Sequence, residues 1–296
     1  MITGGTGFFG RSLVRRLLQA EHASIGGLPA YESERICVYS RGEAAQALMR
    51  AEFNDDPRLR WFIGDVRDKD RLRYAMESVE IVVHAAALKR VEVGVYNPTE
   101  MVKTNVIGAQ NVIEAAIDAE VFKVLFVSTD KAVEPLNCYG ATKLVAEKLF
   151  LNAQALAGET GPSFVAVRYG NVAGSTGSVI PTWRAALAQG KSFTITHPDA
   201  TRFWLTAEQA VDLVLKALEL PTGSLLVPEL PAYRLGDLAL ALVQDTICHP
   251  TILHMLGADE KMHEALLSAH EPGGPRTSEH APRLAIEELR AQLATI

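Results

Sequence analysis

Gly4, Gly7 and Gly10 stand at G-x-x-G-x-x-G spacing directly before a helical run from Arg11 to Leu18. This order imposes a tight turn that opens into a helix. Glycine lets the backbone bend sharply and approach a ligand closely, and the helix N-terminus adds partial positive charge. A pyrophosphate suits such a turn. A glycine triplet alone is a weak signal, because turns use glycine everywhere. Its place before a helix and a further strand makes it specific.

The rest of the first half agrees. Apolar β-branched runs predict strands at 35–40, 59–63, 81–85, 124–128 and 164–168. Between them, helical periodicity predicts helices over 43–53, 68–78, 97–118 and 139–157. Such alternation predicts an α/β fold, a Rossmann-like doubly wound parallel sheet covered on both faces. After about residue 172 the pattern loosens into short elements, and Glu271-Pro272-Gly273-Gly274-Pro275 interrupts it before a last helix near 283–294. Residues 1–172 therefore read as a dinucleotide-binding domain, and 173–296 as mainly a substrate-binding region interleaved with it. Only Met1-Ile2-Thr3 precede the glycine turn, so the first strand is either short or begins upstream of Met1.

Bulk properties exclude several classes. A net charge of -6 argues against nucleic-acid binding. Cys37, Cys138 and Cys248 have neither metal-ligand spacing nor a disulfide framework, so no metal and a reducing, cytoplasmic setting are expected. No apolar run reaches membrane-spanning length, and no signal-peptide pattern is read where glycine-rich sequence begins by residue 3.

The candidate cofactor seat comprises Gly4, Thr6, Gly7, Phe8, Phe9 and Gly10. After the second strand come Ser40-Arg41-Gly42-Glu43. Arg41 and a hydroxyl suit a 2′-phosphate, which favours NADP, while Glu43 leaves NAD open. Asp65-Val66 follow the third strand as a seat for the adenine edge, and Ala85-Ala86-Ala87 are small enough to lie against the cofactor.

Tyr139 and Lys143 stand at i and i+4, so they share a helix face. An ammonium beside a phenol lowers its pKa, and a tyrosinate can take a proton from a hydroxyl whose carbon gives up hydride. Asp130 and Lys131 follow a strand end, where side chains face the ligand crevice of a parallel sheet. They are a second acid/base couple, or else a solvated ion pair. Cys138 beside Tyr139 reads as a small packing residue.

Several stretches resemble the extended short-chain dehydrogenase/reductase superfamily. They are Gly4 to Gly10, Phe62-Ile63-Gly64-Asp65-Val66-Arg67-Asp68, His84-Ala85-Ala86-Ala87-Leu88-Lys89 and Lys103-Thr104-Asn105. Ser128-Thr129-Asp130-Lys131-Ala132, Tyr139-Gly140-Ala141-Thr142-Lys143, Arg168-Tyr169-Gly170-Asn171-Val172 and Thr201-Arg202-Phe203-Trp204 continue the likeness. Within the superfamily the chain especially resembles the polysaccharide-biosynthesis branch and its inverting UDP-N-acetylglucosamine 4,6-dehydratases of pseudaminic acid synthesis. The likeness spans roughly residues 1–230. Two departures stand out: an apparent insertion at 21–34, and Gly257-Ala258-Asp259-Glu260-Lys261-Met262-His263-Glu264, which lacks the family arginine expected at a diphosphate, with His254 nearby.

The resemblance implies a UDP-N-acetylhexosamine substrate and an enzyme that works as a homodimer or higher homo-oligomer. Helices 97–118 and 139–157 would pair through Val102, Val106, Val145 and Leu149. Tyr139 would take the C4 hydroxyl proton, with Lys143 lowering its pKa and holding the nicotinamide ribose. Thr129, seconded by Ser128, would bind the C4 oxygen. Lys131, with its pKa depressed, would take the C5 proton, and Asp130 would protonate the departing C6 hydroxyl. Lys89 and Asn105 would join the cofactor seat, and Lys89, Ser128, Asn171 and Arg202 the substrate seat. Two rivals are a nucleotide-sugar 4-epimerase, which needs Tyr139 and Lys143 but no Asp-Lys couple, and a non-catalytic dinucleotide sensor, which needs none of these four.

Overall fold

The computed structural model describes residues 1–19, 35–243 and 250–296. The insertion expected at 21–34 and Cys248 lie outside the described residues. The chain opens with β1 (Ile2–Thr3), α1 (Phe8–Gln19), β2 (Ile36–Ser40), α2 (Glu43–Glu52), β3 (Leu59–Ile63), α3 (Lys69–Ala75) and β4 (Ile81–His84). There follow α4 (Val91–Tyr96), α5 (Pro98–Val102), a π turn over Lys103–Ile107, α6 (Gly108–Asp118) and β5 (Lys123–Val127). A 3-10 turn at Asp130–Ala132 leads to α7 (Cys138–Asn152), α8 (Gln154–Ala157) and β6 (Ser163–Val167).

Beyond these lie α9 (Val179–Ala188), β7 (Thr194–Ile195), β8 (Thr201–Phe203), α10 (Ala207–Leu218), β9 (Leu225–Leu226), β10 (Ala232–Arg234) and α11 (Leu235–Val243). The chain closes with β11 (Thr251–Ile252), β12 (Ala265–Leu267), β13 (Arg276–Thr277) and α12 (Ile286–Leu293). The central sheet has seven strands in the order β3-β2-β1-β4-β5-β6-β9, with parallel pairing throughout.

Alternation along each strand decides which core each side chain enters. Val83, Leu125, Val165 and Val167 join Leu13 and Val14 of α1 and Val211 and Val214 of α10 on one face. Val82, Val124, Phe126, Phe164 and Ala166 meet Leu72 of α3, Val112 of α6 and Phe150 of α7 on the other. A third cluster, with Trp183, Phe193, Trp204, Leu238 and Leu289, organises the segments after residue 172. Among the described residues, no helix is long and apolar enough to cross a membrane.

The expected single helix over 97–118 is broken. Pro98 starts α5, the chain widens into the π turn, and α6 resumes at Gly108. A side chain at Gly108 would press on Val66, its Cβ only 2.7 Å from the valine Cγ2, which explains a glycine inside this helical run. The proposed pairing surface is uneven: Val102 and Val145 are exposed, whereas Leu149 packs partly against the chain's own core.

Candidate active site

The glycine turn is built for close approach. Gly4 has φ +68°, and a Cβ there would lie 2.8 Å from the Ala86 Cα. A Cβ on Gly10 would strike the Gly5 carbonyl. The turn is closed by Gly7 N donating to Gly4 O at 2.9 Å, and Arg11 Nε braces it by donating to Thr6 O at 3.1 Å. The N-terminus of α1 opens onto a cleft of about 1320 Å³. Thr6, Phe8, Phe9, Ser40, Arg41, Asp65, Val66, Ala85, Ala86, Ala87 and Lys89 all line that cleft. A glycine-rich loop at a helix start, in a cleft this size, fits a dinucleotide pyrophosphate.

Arg41 is exposed at the cleft rim, 3.9 Å from Asp65 Oδ2. Asp65 also accepts from Arg67 at 2.7 Å. Burial works against the Asp65 carboxylate, but the bonds from Arg67 and the charge of Arg41 hold it below the usual range. Ser40 is buried and its hydroxyl accepts from Gln46 at 3.1 Å.

Two expected site residues commit their polar groups to the protein itself. Asn105 is buried, accepts from Leu88 N at 2.8 Å, and donates to Leu88 O and Thr142 Oγ1 at 2.9 and 3.0 Å. It holds the loop after β4 in place and does not line the cleft. Ser128 lines the cleft but is largely buried, and its hydroxyl donates to Glu147 Oε2 at 2.6 Å.

The end of β5 and the start of α7 bring the proton-transfer groups together. Asn137 caps α7 by accepting from Gly140 N at 2.9 Å, an interaction worth about 1 kcal/mol. Thr129, Lys131, Tyr139 and Lys143 line one wall of the cleft. Asp130 lies behind them, fully enclosed. Its Oδ1 accepts from Thr129 Oγ1 at 2.9 Å and from Lys131 Nζ at 3.2 Å. Lys131 also donates to Asn171 Oδ1 at 3.0 Å.

The electrostatics correct two expectations. Burial alone would lower Lys131, but the carboxylates of Asp130 and Glu264 outweigh it and raise its pKa, so the lysine rests as an ammonium. Burial raises Tyr139 rather than lowering it, and the cation that favours its phenolate is Lys131. Lys143 instead donates to Val127 O at 2.6 Å and sits 3.9 Å above the Phe126 ring. Enclosure brings its pKa down to about 7. Asp130 is pushed up, first by burial and then by Glu264.

A smaller cavity of about 330 Å³ adjoins this wall and is lined by Lys131, Asn171, Arg202, Glu260, Lys261 and Glu264, among others. Arg202 is buried, with Nη2 2.7 Å from Glu260 Oε1 and Nε 3.8 Å from Glu264 Oε1. Arg202 thus reaches the cavity already paired.

A family model described as "Polysaccharide biosynthesis protein" matches residues 1–284. The chain belongs to this family. It is 43% identical over 276 residues to the inverting UDP-N-acetylglucosamine 4,6-dehydratase of Campylobacter jejuni, covering 92% of this chain and 78% of that protein. It is 42% identical over 275 residues to a UDP-glucose 4-epimerase of Rickettsia massiliae, again covering 92% and 78%. Among solved structures, Pen from Bacillus thuringiensis superposes with a TM-score of 0.90 at 35% identity, covering 99% of this chain and 96% of Pen.

In this member of the polysaccharide biosynthesis family, Glu264 and Glu260 are the site residues that sequence reasoning passed over. The segment 257–264 was noticed only for a missing arginine. Its two glutamates complete an ion cluster with residues from β8 and the turn after β5. Arg168 was likewise quoted without a role. It is buried between Glu147 and Glu271, and ties the C-terminal segment to α7.

Proposed function

We propose that the chain is a nucleotide-sugar 4,6-dehydratase acting on UDP-N-acetylglucosamine or a close relative, with inversion at C5. The observation that carries this reading is the Asp130–Lys131 couple set beside Tyr139 and backed by Glu264. An epimerase needs Tyr139, Lys143 and room for a keto sugar to turn. It has no use for two enclosed carboxylates around a lysine, an arrangement that is costly to bury. A sensor would need none of these groups. The relatives named as epimerases are nearly as similar as those named as dehydratases, so the chemistry rests on this couple.

The glycine turn, the Ala85–Ala87 wall and Lys143 would hold a nicotinamide dinucleotide. When bound, it supplies the hydride acceptor and donor. Tyr139 takes the proton of the C4 hydroxyl. A ketone at C4 makes the C5 hydrogen acidic, and Lys131 takes it as an amine. Asp130 protonates the C6 oxygen, which leaves as water. Return of the hydride at C6, with a proton delivered to the opposite face of C5, would saturate the C5–C6 double bond and invert C5. Asn171 and Arg202 hold the sugar nucleotide.

Incubation with UDP-N-acetylglucosamine and catalytic NADP should yield a product lighter by one water, read by mass spectrometry and proton NMR. A product of unchanged mass inverted at C4 identifies an epimerase instead. Steady build-up of reduced cofactor in step with product indicates a simple dehydrogenase.

The exposed Arg41 beside Ser40 supports NADP over NAD. Arg41→Ala should weaken NADP binding by about 1.5–3 kcal/mol and leave NAD binding little changed. Equal binding of NAD and NADP to the unaltered protein, by calorimetry, defeats the assignment.

A further inference from the structure

Lys131 poses a difficulty for the dehydratase reading: its surroundings make it an ammonium, and the C5 step requires an amine. Asp130 cannot take the surplus proton, because the same step needs Asp130 already protonated as the acid. A third group must hold it.

Glu264 is placed to do so. Its Oε1 lies 3.4 Å from Lys131 Nζ, and its Oε2 is buried with no hydrogen-bond partner among the described residues. The Asp130 Oδ2 is buried and unpartnered in the same way. The backbone on either side of Glu264 is fixed. Glu264 N donates to Ser278 Oγ at 2.9 Å, Ser278 N donates to Glu264 O at 2.8 Å, and Thr201 N donates to Met262 O at 2.9 Å.

We propose that Glu264 is a positioning residue for the Asp130–Lys131 couple: its carboxylate seats the Lys131 ammonium at rest and accepts that ammonium's proton once substrate fills the cavity. This inference takes its chemistry from the dehydratase reading. The transfer breaks an N–H bond on Lys131 and forms an O–H bond on Glu264. The freed amine takes the C5 proton, the C5–H electron pair becomes the C5–C6 double bond, and the proton of Asp130 leaves with the C6 oxygen as water. No proton has to enter from solvent. Filling the cavity favours this transfer, since excluding water penalises the separated ammonium and carboxylate more than the neutral pair.

The charges around the cluster are consistent with that resting state. Burial works against the Glu264 carboxylate, but Lys131, Arg202 and Lys261 keep it ionised below the usual range. Tyr139 and Tyr233, which also face the cluster, are both raised by burial. Burial raises the Asp130 pKa, and the negative charge of Glu264 raises it further.

The test uses Glu264→Gln, which keeps the shape and removes the charge, with Glu264→Asp as the charge-retaining control. With UDP-N-acetylglucosamine and NADP, Glu264→Gln should still oxidise C4 in a single turnover. Exchange of the C5 hydrogen with deuterated water should fall at least tenfold, with KM changed less than about twofold, and Glu264→Asp should recover part of it. A second reading needs no substrate. The infrared band of the protonated Asp130 carboxyl, assigned by its loss in Asp130→Asn, should disappear at a pH lower by about one unit in Glu264→Gln and not in Glu264→Asp. Wild-type C5 exchange in Glu264→Gln, or equal loss of C4 oxidation and C5 exchange, overturns the proposal. If the unaltered protein releases no water from the sugar, the dehydratase reading fails by itself. The carboxyl band then decides for Glu264 alone, and an unmoved titration overturns it.

Discussion

Tyr139→Phe should all but abolish oxidation at C4. The phenol lies at the cleft wall, and Lys131 is the cation that favours its ionised form. Loss of a positioned general base costs roughly a hundred- to ten-thousand-fold. Reduced cofactor should not form in a single turnover, and C5 exchange, which needs the C4 ketone, should vanish with it. Lys131→Ala separates the steps. It should slow C4 oxidation, because the tyrosine loses its cation, yet still permit it. The C5 proton then stays, and the enzyme stalls with a 4-keto sugar and an absorbance at the reduced-cofactor band. Normal dehydration by Lys131→Ala would remove Lys131 as the C5 base and favour the epimerase reading.

Arg168→Ala has the largest expected effect on stability. The guanidinium is fully buried, donates to Glu147 at 2.5 and 3.0 Å, and meets Glu271 at 2.8 and 3.1 Å. Removing it leaves two carboxylates facing each other, one of them completely enclosed. Breaking a buried ion pair from one side costs about 3–5 kcal/mol. Urea unfolding should show a stability loss of that size, read as a lower midpoint at an unchanged slope. Arg168→Leu combined with Glu147→Leu should recover much of the loss, because no buried charge is then stranded. A loss below about 1 kcal/mol for Arg168→Ala means the ion pair is not sustaining this junction.

The inner strands of the sheet were legible because they are buried on both faces. Runs such as Val124-Leu125-Phe126-Val127 have no other reading, and β2 to β6 fall within a residue of their expected bounds. The glycine turn was legible because its spacing is a backbone requirement. The rest was hidden for separate reasons. Asn105 and Ser128 have the right identities for ligand contact, but their hydrogen bonds go to Leu88 and Glu147. Hydrogen-bond direction is a tertiary property that no local pattern carries. The π turn at Lys103–Ile107 was invisible because its residues keep an ordinary helical pattern. Glu264 was missed because its partners lie far away in sequence, on the turn after β5 and on β8. The charge of Lys131 was misjudged for the same reason, since an unseen carboxylate reversed the sign of its shift.

The seventh strand also bears on how this protein could be recombined with its relatives. β9 comes from beyond residue 172, yet it closes the sheet edge: Ala166 N donates to Ser224 O and Arg168 N to Leu226 O, both at 2.9 Å. A chimera cut at the apparent boundary near Val172 would strip that edge from β6 and expose its backbone groups to intermolecular pairing. Substrate specificity in this architecture is therefore not a cassette. A graft meant to exchange it must carry β9 along, together with Glu271 as the mate of Arg168, or leave both with the parent and transplant only the loop that holds Glu260 and Glu264.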